Sequence, residues 1–422
     1  MKAKLFATIL ISLSSLGTMA QTSFEEVTSD PDKAGGIYYA YPVTESLNTK
    51  APKGYRPFYI SHYGRHGSRY LVNDRDYVDL PRMLQHAADN DALTTKGKMV
   101  KAWVDSVCKE AKGKAGELTP LGNRQHHDIA VRMYKAFPEV FVDDADITAT
   151  STVVMRCAHS MFAFVEGLKE QNPSLNIPRD SSPRAMSYMN HHNPECGEAN
   201  GPGNPWYQTY KNLDKKYTDA TRLSKELFNS QDYVDKWVDQ YYLMYYLFRY
   251  AVDSQDIETK LDFMSLFTPE ELFNIWEATN FSFFARNSTY APAKGAHTNC
   301  DIPLVKNILE TANDYVDKGK TGATLRFGHD GNITPLAGLL KLSNCYSDAI
   351  EPEEVTKTWT DFKISPMAAN LQIVFFKNDK NDVICKFMLN EREIAVDPLK
   401  TDMFPFYKWA DVKAYLEGLV AE

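Results

Sequence analysis

Three stretches of this chain share one grammar: a short β-branched or apolar run, a turn of small residues, and then a helix-like pattern. Phe58-Tyr59-Ile60 leads into Gly64-Arg65-His66-Gly67. The run 147–152 leads through Arg156 into the amphipathic stretch 158–168. Ala323-Thr324-Leu325-Arg326-Phe327 ends at Gly328-His329-Asp330, and Thr334-Pro335-Leu336 then reads as the start of another helix. Strands alternating with helices predict an α/β fold with a mostly parallel central sheet flanked by helices. In such sheets ligands collect at the carboxyl ends of the strands, where each of these motifs lies.

The texture changes between the second and third units. Residues 205–285 have helical periodicity, and Thr268-Pro269-Glu270-Glu271 has the Thr N-cap, first-position Pro and Glu of a capped helix start. The expected division is an α/β core of residues 21–165 and 305–422, interrupted by a mostly helical cap at 166–304. Residues 183–204, rich in Pro, Asn, Gly and His, read as an irregular linker or lid. The runs 372–377 and 383–389 flank Asn378-Asp379-Lys380-Asn381-Asp382 and read as an antiparallel hairpin.

Residues 1–20 read as a bacterial signal peptide. Lys2 and Lys4 precede an apolar stretch too short to span a bilayer, and small residues at 18 and 20 suit cleavage before Gln21. The expected product is exported, periplasmic or secreted, with no membrane anchor. Cleavage takes the formal charge from −8 to −10, which argues against a nucleic-acid partner. None of the six cysteines stands in a CxxC pair, so zinc-ribbon and thioredoxin chemistry is not expected; export permits disulfides, whose pairing the sequence does not assign.

Against this acidic background the cations at 65 and 69 are a local device. Guanidiniums present forked donors that match phosphate oxygens. An imidazole between two of them, His66, is disfavoured as a cation and keeps a lone pair for attack on phosphorus. Arg156 stands at a helix start, where free backbone N–H groups also favour an anion. His329-Asp330 closes the third strand. Together these residues supply a nucleophile, fixed cations and a carboxylic acid for a leaving oxygen.

The chain resembles the histidine acid phosphatase branch of the histidine phosphatase superfamily. The pattern R-H-G-x-R is matched by Arg65-His66-Gly67-Ser68-Arg69, and S-T-x-x-x-R by Ser151-Thr152 through Arg156. His329-Asp330 matches the H-D pair, and Leu118-Thr119-Pro120-Leu121-Gly122-Asn123-Arg124-Gln125-His126 an L-T-P-x-G-x-x-Q-H stretch. The resemblance implies an α/β core with a helical cap. It implies phosphomonoester hydrolysis without metal or cofactor, through a phosphohistidine on His66, with Arg65, Arg69, Arg156 and His329 holding the phosphoryl group. Asp330 would protonate the departing alkoxide and then activate water, which needs a protonated Asp330 when substrate is bound. The chain departs from the pattern in two places. Tyr70-Leu71 follow the second Arg where many relatives have Pro, and His329-Asp330-Gly331 stands where inositol-polyphosphate phosphatases usually carry H-A-E.

The residues that meet the alcohol carry no motif, so sugar phosphates, phytate and other inositol phosphates stay open as substrates, as does the oligomeric state. The alternatives are a mutase-like phosphotransferase, opposed by the leader, and a non-catalytic anion-binding protein, which would need neither His66 nor Asp330. Other residues are expected to play no catalytic part. Adjacent His126 and His127 point different ways on a helix and suit a helix start or domain contact. Asn190-His191-His192-Asn193 reads as a solvated loop, His62 as buried or supporting, Arg326 as structural or peripheral, Cys157 as packed or disulfide-bonded, and the aromatic stripe 237–250 as helix core.

Overall fold

In a computed structural model of the protein, residues 22–43, 48–189 and 201–421 are described; the expected leader and the 190–193 loop lie outside them. The sheet contains β1 (Arg56–Arg65), β2 (Asp146–Ser151), β3 (Arg179–Asp180), β4 (Gly322–Gly328), β5 (Asn370–Lys377), β6 (Val383–Leu389), β7 (Arg392–Ile394) and β8 (Tyr407–Lys408). Their order is β3-β2-β4-β1-β5-β6-β7, with β8 on β6. Strands β3, β2, β4 and β1 run parallel, and β5 lies antiparallel to β1. The expected hairpin is β5–β6. All three motifs therefore leave the parallel half of an α/β sheet.

Seven helices matter below: α1 (Pro120–Ala136), α2 (Met155–Gln171), α3 (Gln240–Asp253), α4 (Pro269–Asn287), α5 (Ile302–Asp317), α6 (Asp330–Leu339) and α7 (Trp409–Ala421). Alternation along β1 sends Tyr59 and Tyr63 into an apolar cluster with α5, α7 and the end of α4, while Ile60 joins α1 and α2 on the other face. A third cluster packs α3 and the start of α4 against the first part of the chain. The capping box of α4 forms as its sequence predicts: Thr268 accepts from the Glu271 N–H, and the Glu271 carboxylate accepts from the Thr268 N–H.

Some local readings differ. Strand β1 continues through Gly64 and Arg65, which read as part of the turn, because β4 pairs with both and, on the other side, β5 pairs with Gly64 and the Ala369 carbonyl accepts from the Arg65 N–H. Helix α6 begins at Asp330, so Thr334-Pro335 lies inside it and not at its start. His126 and His127 fall in the second turn of α1, beyond the helix start; His126 is buried, and His127 bridges to Glu170 of α2. The aromatic stripe is only partly core, since Trp237 is 55% exposed and Tyr242 49%. Cys157 is a packed thiol and not a disulfide, whereas Cys300 is disulfide-bonded.

Candidate active site

Register brings the motifs together. Arg65 pairs with Gly328 across β1–β4, and Ser151 pairs with Phe327 across β2–β4, so all three strands end at one level. The exits are tied to each other: the His66 N–H donates to the Gly328 carbonyl at 2.9 Å, and the Thr152 N–H to the Phe327 carbonyl at 3.0 Å. Segments far apart in sequence thus deliver His66, Arg156 and His329-Asp330 to one pocket.

The His66 ring is oriented from below. Its Nδ1 lies 2.9 Å from the Gly67 carbonyl oxygen. A carbonyl can only accept, so Nδ1 carries the proton and Nε2 keeps the lone pair. Burial holds this imidazole well below its usual range, and Arg65, Arg156, Arg69 and His329 push the same way. His66 is therefore neutral, as the sequence predicts. The His329 ring stands edge-on to it, centroids 5.7 Å apart, with Nε2 3.1 Å from Thr152 Oγ1. The Tyr63 hydroxyl accepts from the His329 N–H. The thiol of Cys157 is directed at the Gly328 carbonyl, 3.2 Å away, and burial raises it to about 12, which disqualifies it as a nucleophile.

The arginines are held rigidly but incompletely used. Arg65 donates through Nη1 to the carbonyls of Ile37 and Ser365, 2.5 and 2.7 Å away. Its Nη2 lies 3.1 Å from Asp330 Oδ2, in ion-pair range but out of line for a hydrogen bond. Arg69 lies over the Tyr38 ring and donates to that hydroxyl and to the Tyr70 carbonyl. Nε of Arg65, Arg69 and Arg156 has no acceptor among the described residues. Three guanidiniums and one carboxylate leave the pocket with a surplus of two positive charges, a match for a phosphate ester dianion.

Asp330 departs from the proton-bearing state that a general acid needs. Burial favours its neutral form, but Arg65 beside it, then His329, Arg69 and the Gly331 N–H, hold it at about 2. The carboxyl is ionised in the unliganded pocket.

The loop of R-H-G-S-R is wedged against α1. A methyl on Gly67 would lie 2.5 Å from the Gly122 carbonyl oxygen, and one on Gly122 would lie 2.2 Å from the Ser68 carbonyl oxygen. That carbonyl accepts from the Thr119 N–H and hydroxyl, while Gln125 clasps Ser68 through N–H and Oγ. The L-T-P-x-G-x-x-Q stretch thus shapes the loop that carries His66. Arg326 is structural, donating to Asn307, Ser61 and Thr311, and His62 is buried beneath Gly64.

Sequence reasoning missed several neighbours: Tyr38 under Arg69, Ser160 accepting from the Gly67 N–H, Asp253 and Asp256 behind the loop, and Arg286 of α4, whose guanidinium feels the Asp330 carboxylate. None carries a local signal except Ser160, one helical turn beyond Arg156.

The profile of the histidine phosphatase superfamily (branch 2) matches residues 64–390. No curated protein matches the chain by sequence. Among solved structures, Bifidobacterium longum multiple inositol polyphosphate phosphatase in complex with inositol hexasulfate is similar, with a TM-score of 0.73 and 20% identity, covering 91% of this chain and 97% of that one. The phytase from D. castellii gives 0.65 and 15% over 92% and 85%. The Hafnia alvei phytase gives 0.51 and 11% over 88% and 98%.

Proposed function

The chain belongs to branch 2 of the histidine phosphatase superfamily and is a phosphomonoester hydrolase, and from that premise we propose that it works through a phosphohistidine on His66. The observation that carries this reading is the tautomer of His66: Nδ1 is committed to the Gly67 carbonyl, which leaves Nε2 as a neutral nucleophile among three guanidiniums.

Phosphate oxygens take the free N–H groups of Arg65, Arg69 and Arg156. The bound dianion competes for Arg65 and adds negative charge beside Asp330; both effects raise that carboxyl, which takes up a proton as substrate binds. His66 Nε2 attacks phosphorus, forming the P–N bond while the ester P–O bond breaks, and Asp330 gives its proton to the leaving alkoxide. Water then attacks the phosphohistidine, Asp330 accepts a proton from it, and phosphate leaves with His66 restored. His329 donates to a phosphoryl oxygen, its orientation supported by Thr152 and Tyr63.

Two finer proposals accompany the mechanism. The protein acts outside the cytoplasm, as the leader-like residues 1–20 suggest; among the described residues no helix is long and apolar enough to cross a membrane. Its substrates are inositol phosphates, phytate included, or sugar phosphates. The inositol-phosphate branch draws support from the names of the similar structures and from Arg286, a further cation within electrostatic reach of Asp330. The mechanism is tested by acid-quenching enzyme incubated with 32P-labelled phosphomonoester. Label on His66, lost in His66→Ala, is the expected result; turnover with no labelled protein at any time point overturns it. Initial rates on phytate, glucose 1-phosphate and an aryl phosphate sort the substrates.

A further inference from the structure

Behind the R-H-G-S-R loop lie two carboxyl groups that the proposed mechanism does not use. Asp253 ends α3, and Asp256 follows one turn later, its N–H donating to the Asp253 carbonyl; both are fully buried. Asp253 Oδ2 accepts from the Tyr77 hydroxyl at 3.0 Å. Asp256 Oδ1 lies 2.5 Å from Ser68 Oγ, inside the nucleophile loop itself. The remaining oxygens, Asp253 Oδ1 and Asp256 Oδ2, have no partner, and neither carboxylate forms an ion pair among the described residues.

Two buried carboxylates that repel each other do not both ionise readily. The hydrogen bonds locate the proton. The Gln125 amide donates to Ser68 Oγ at 2.8 Å, so the Ser68 hydroxyl proton goes to Asp256 Oδ1, which must accept. The Tyr77 hydroxyl likewise occupies Asp253 Oδ2, because it already accepts from the Leu71 N–H. A proton held by either carboxyl therefore sits on its free oxygen.

We propose that Asp253 and Asp256 are positioning residues for the phosphate cradle: they share one proton, fix Ser68 and present Arg69 with one negative charge instead of two. The proposal rests on the phosphate-binding reading of the pocket. Burial raises Asp253 to about 7, with Tyr77, Arg69 and Arg249 opposing and Asp76 adding to the rise. Burial and Asp253 raise Asp256 well above the carboxylate range, against Ser68, Arg69 and Arg65. Arg249 is itself paired with Asp76. Of the phenols in range, burial and nearby carboxylates raise Tyr70 and Tyr77, and burial, Cys108 and then Asp253 and Asp76 raise Tyr250. Tyr38 is lowered, because Arg69 and Arg249 outweigh its burial. Both carboxyls are raised, so the pair holds its proton towards acid pH and loses it as pH rises. Its loss adds a negative charge behind a dianion site and weakens binding.

The test uses tungstate, a tetrahedral dianion that does not titrate between pH 6 and 9, and follows its Kd over that range. In the wild type Kd rises with pH, by up to about tenfold for one added charge at this range. Asp256→Asn keeps the acceptor for Ser68 and offers an N–H2 in place of the shared proton, so it binds at pH 6 as the wild type does and loses most of the rise. Asp256→Ala, which removes the Ser68 contact, weakens binding at every pH. A wild type and an Asp256→Asn variant with parallel profiles overturn the proposal. Asp253→Asn provides a second variant with the same expectation. Should both fail to fold, calorimetry on Asp330→Asn, which lacks the carboxyl that takes up a proton with the dianion, in buffers of different ionisation enthalpy decides: tungstate binding near pH 8 still takes up a proton, and its absence overturns the proposal. Hydrolysis of p-nitrophenyl phosphate by the wild type tests the proposed function separately.

Discussion

Gly122→Ala changes a residue on α1 that touches no part of a bound phosphate, yet it is expected to disable the pocket. The added Cβ would stand 2.2 Å from the Ser68 carbonyl oxygen and 2.7–2.9 Å from the Leu118 side chain. Leu118 can rotate; the Ser68 carbonyl cannot, because the Thr119 N–H and hydroxyl hold it at 2.9 and 3.0 Å. Relieving the clash to a tolerable 3.0 Å requires a shift of at least about 0.8 Å between helix and loop. The loop carries His66 on one side of Ser68 and Arg69 on the other. A displacement near 1 Å in a reacting group costs about 100-fold in rate, and overpacking of this kind costs roughly 1–3 kcal/mol of stability. We therefore expect kcat/KM for p-nitrophenyl phosphate to fall about 100-fold, with a melting temperature only a few degrees lower. The two readouts separate a misplaced loop from an unfolded protein. A soluble Gly122→Ala enzyme with kcat/KM within about threefold of wild type would show that this contact does not position the nucleophile.

Three further outcomes are expected. His66→Ala retains the fold and abolishes turnover; rates above about 1% of wild type with purified protein contradict the assignment. Asp330→Asn lowers kcat by about 100- to 10,000-fold, and the loss is smallest for aryl esters, whose leaving group needs no proton; equal losses on aryl and alkyl esters argue against an acid role. The pH dependence of stability carries the third. Burial depresses His126 to about 4, so the unfolded chain binds a proton below about 6.5 that the folded chain refuses. Stability from this group is present above 6.5 and lost as pH falls towards 4, by an amount on the order of 3 kcal/mol. Urea midpoints at pH 7 and 4.5 should converge in His126→Asn relative to the wild type; an unchanged difference refutes it.

The chemistry of the pocket is legible in the sequence because chemistry requires residue types, and these stand at short, fixed spacings after strand-like runs. His66, Arg65, Arg69, Arg156, His329 and Asp330 can be named without coordinates, and the expected neutrality of His66 follows from its neighbours in the chain. The ionised state of Asp330 does not, since it depends on Arg65 reaching across from another strand to within 3.1 Å. Nor does the end of β1: Gly64 and Arg65 look like a turn until β4 pairs with both and β5 closes on Gly64 from the other side.

By itself the sequence determined the alternation of strands and helices, the order of the motifs and the identity of the candidate site residues, all of which are encoded locally. Only the tertiary structure decided what surrounds them. Tyr38 beneath Arg69, the Gly67–Gly122 contact, and Asp253 and Asp256 behind Ser68 come from segments 31 to 188 residues away along the chain. The reason is physical: burial and charge set the proton on His66, Asp330 and the acid pair. Both are sums over every neighbour in space, and the chain brings those neighbours together only when it folds.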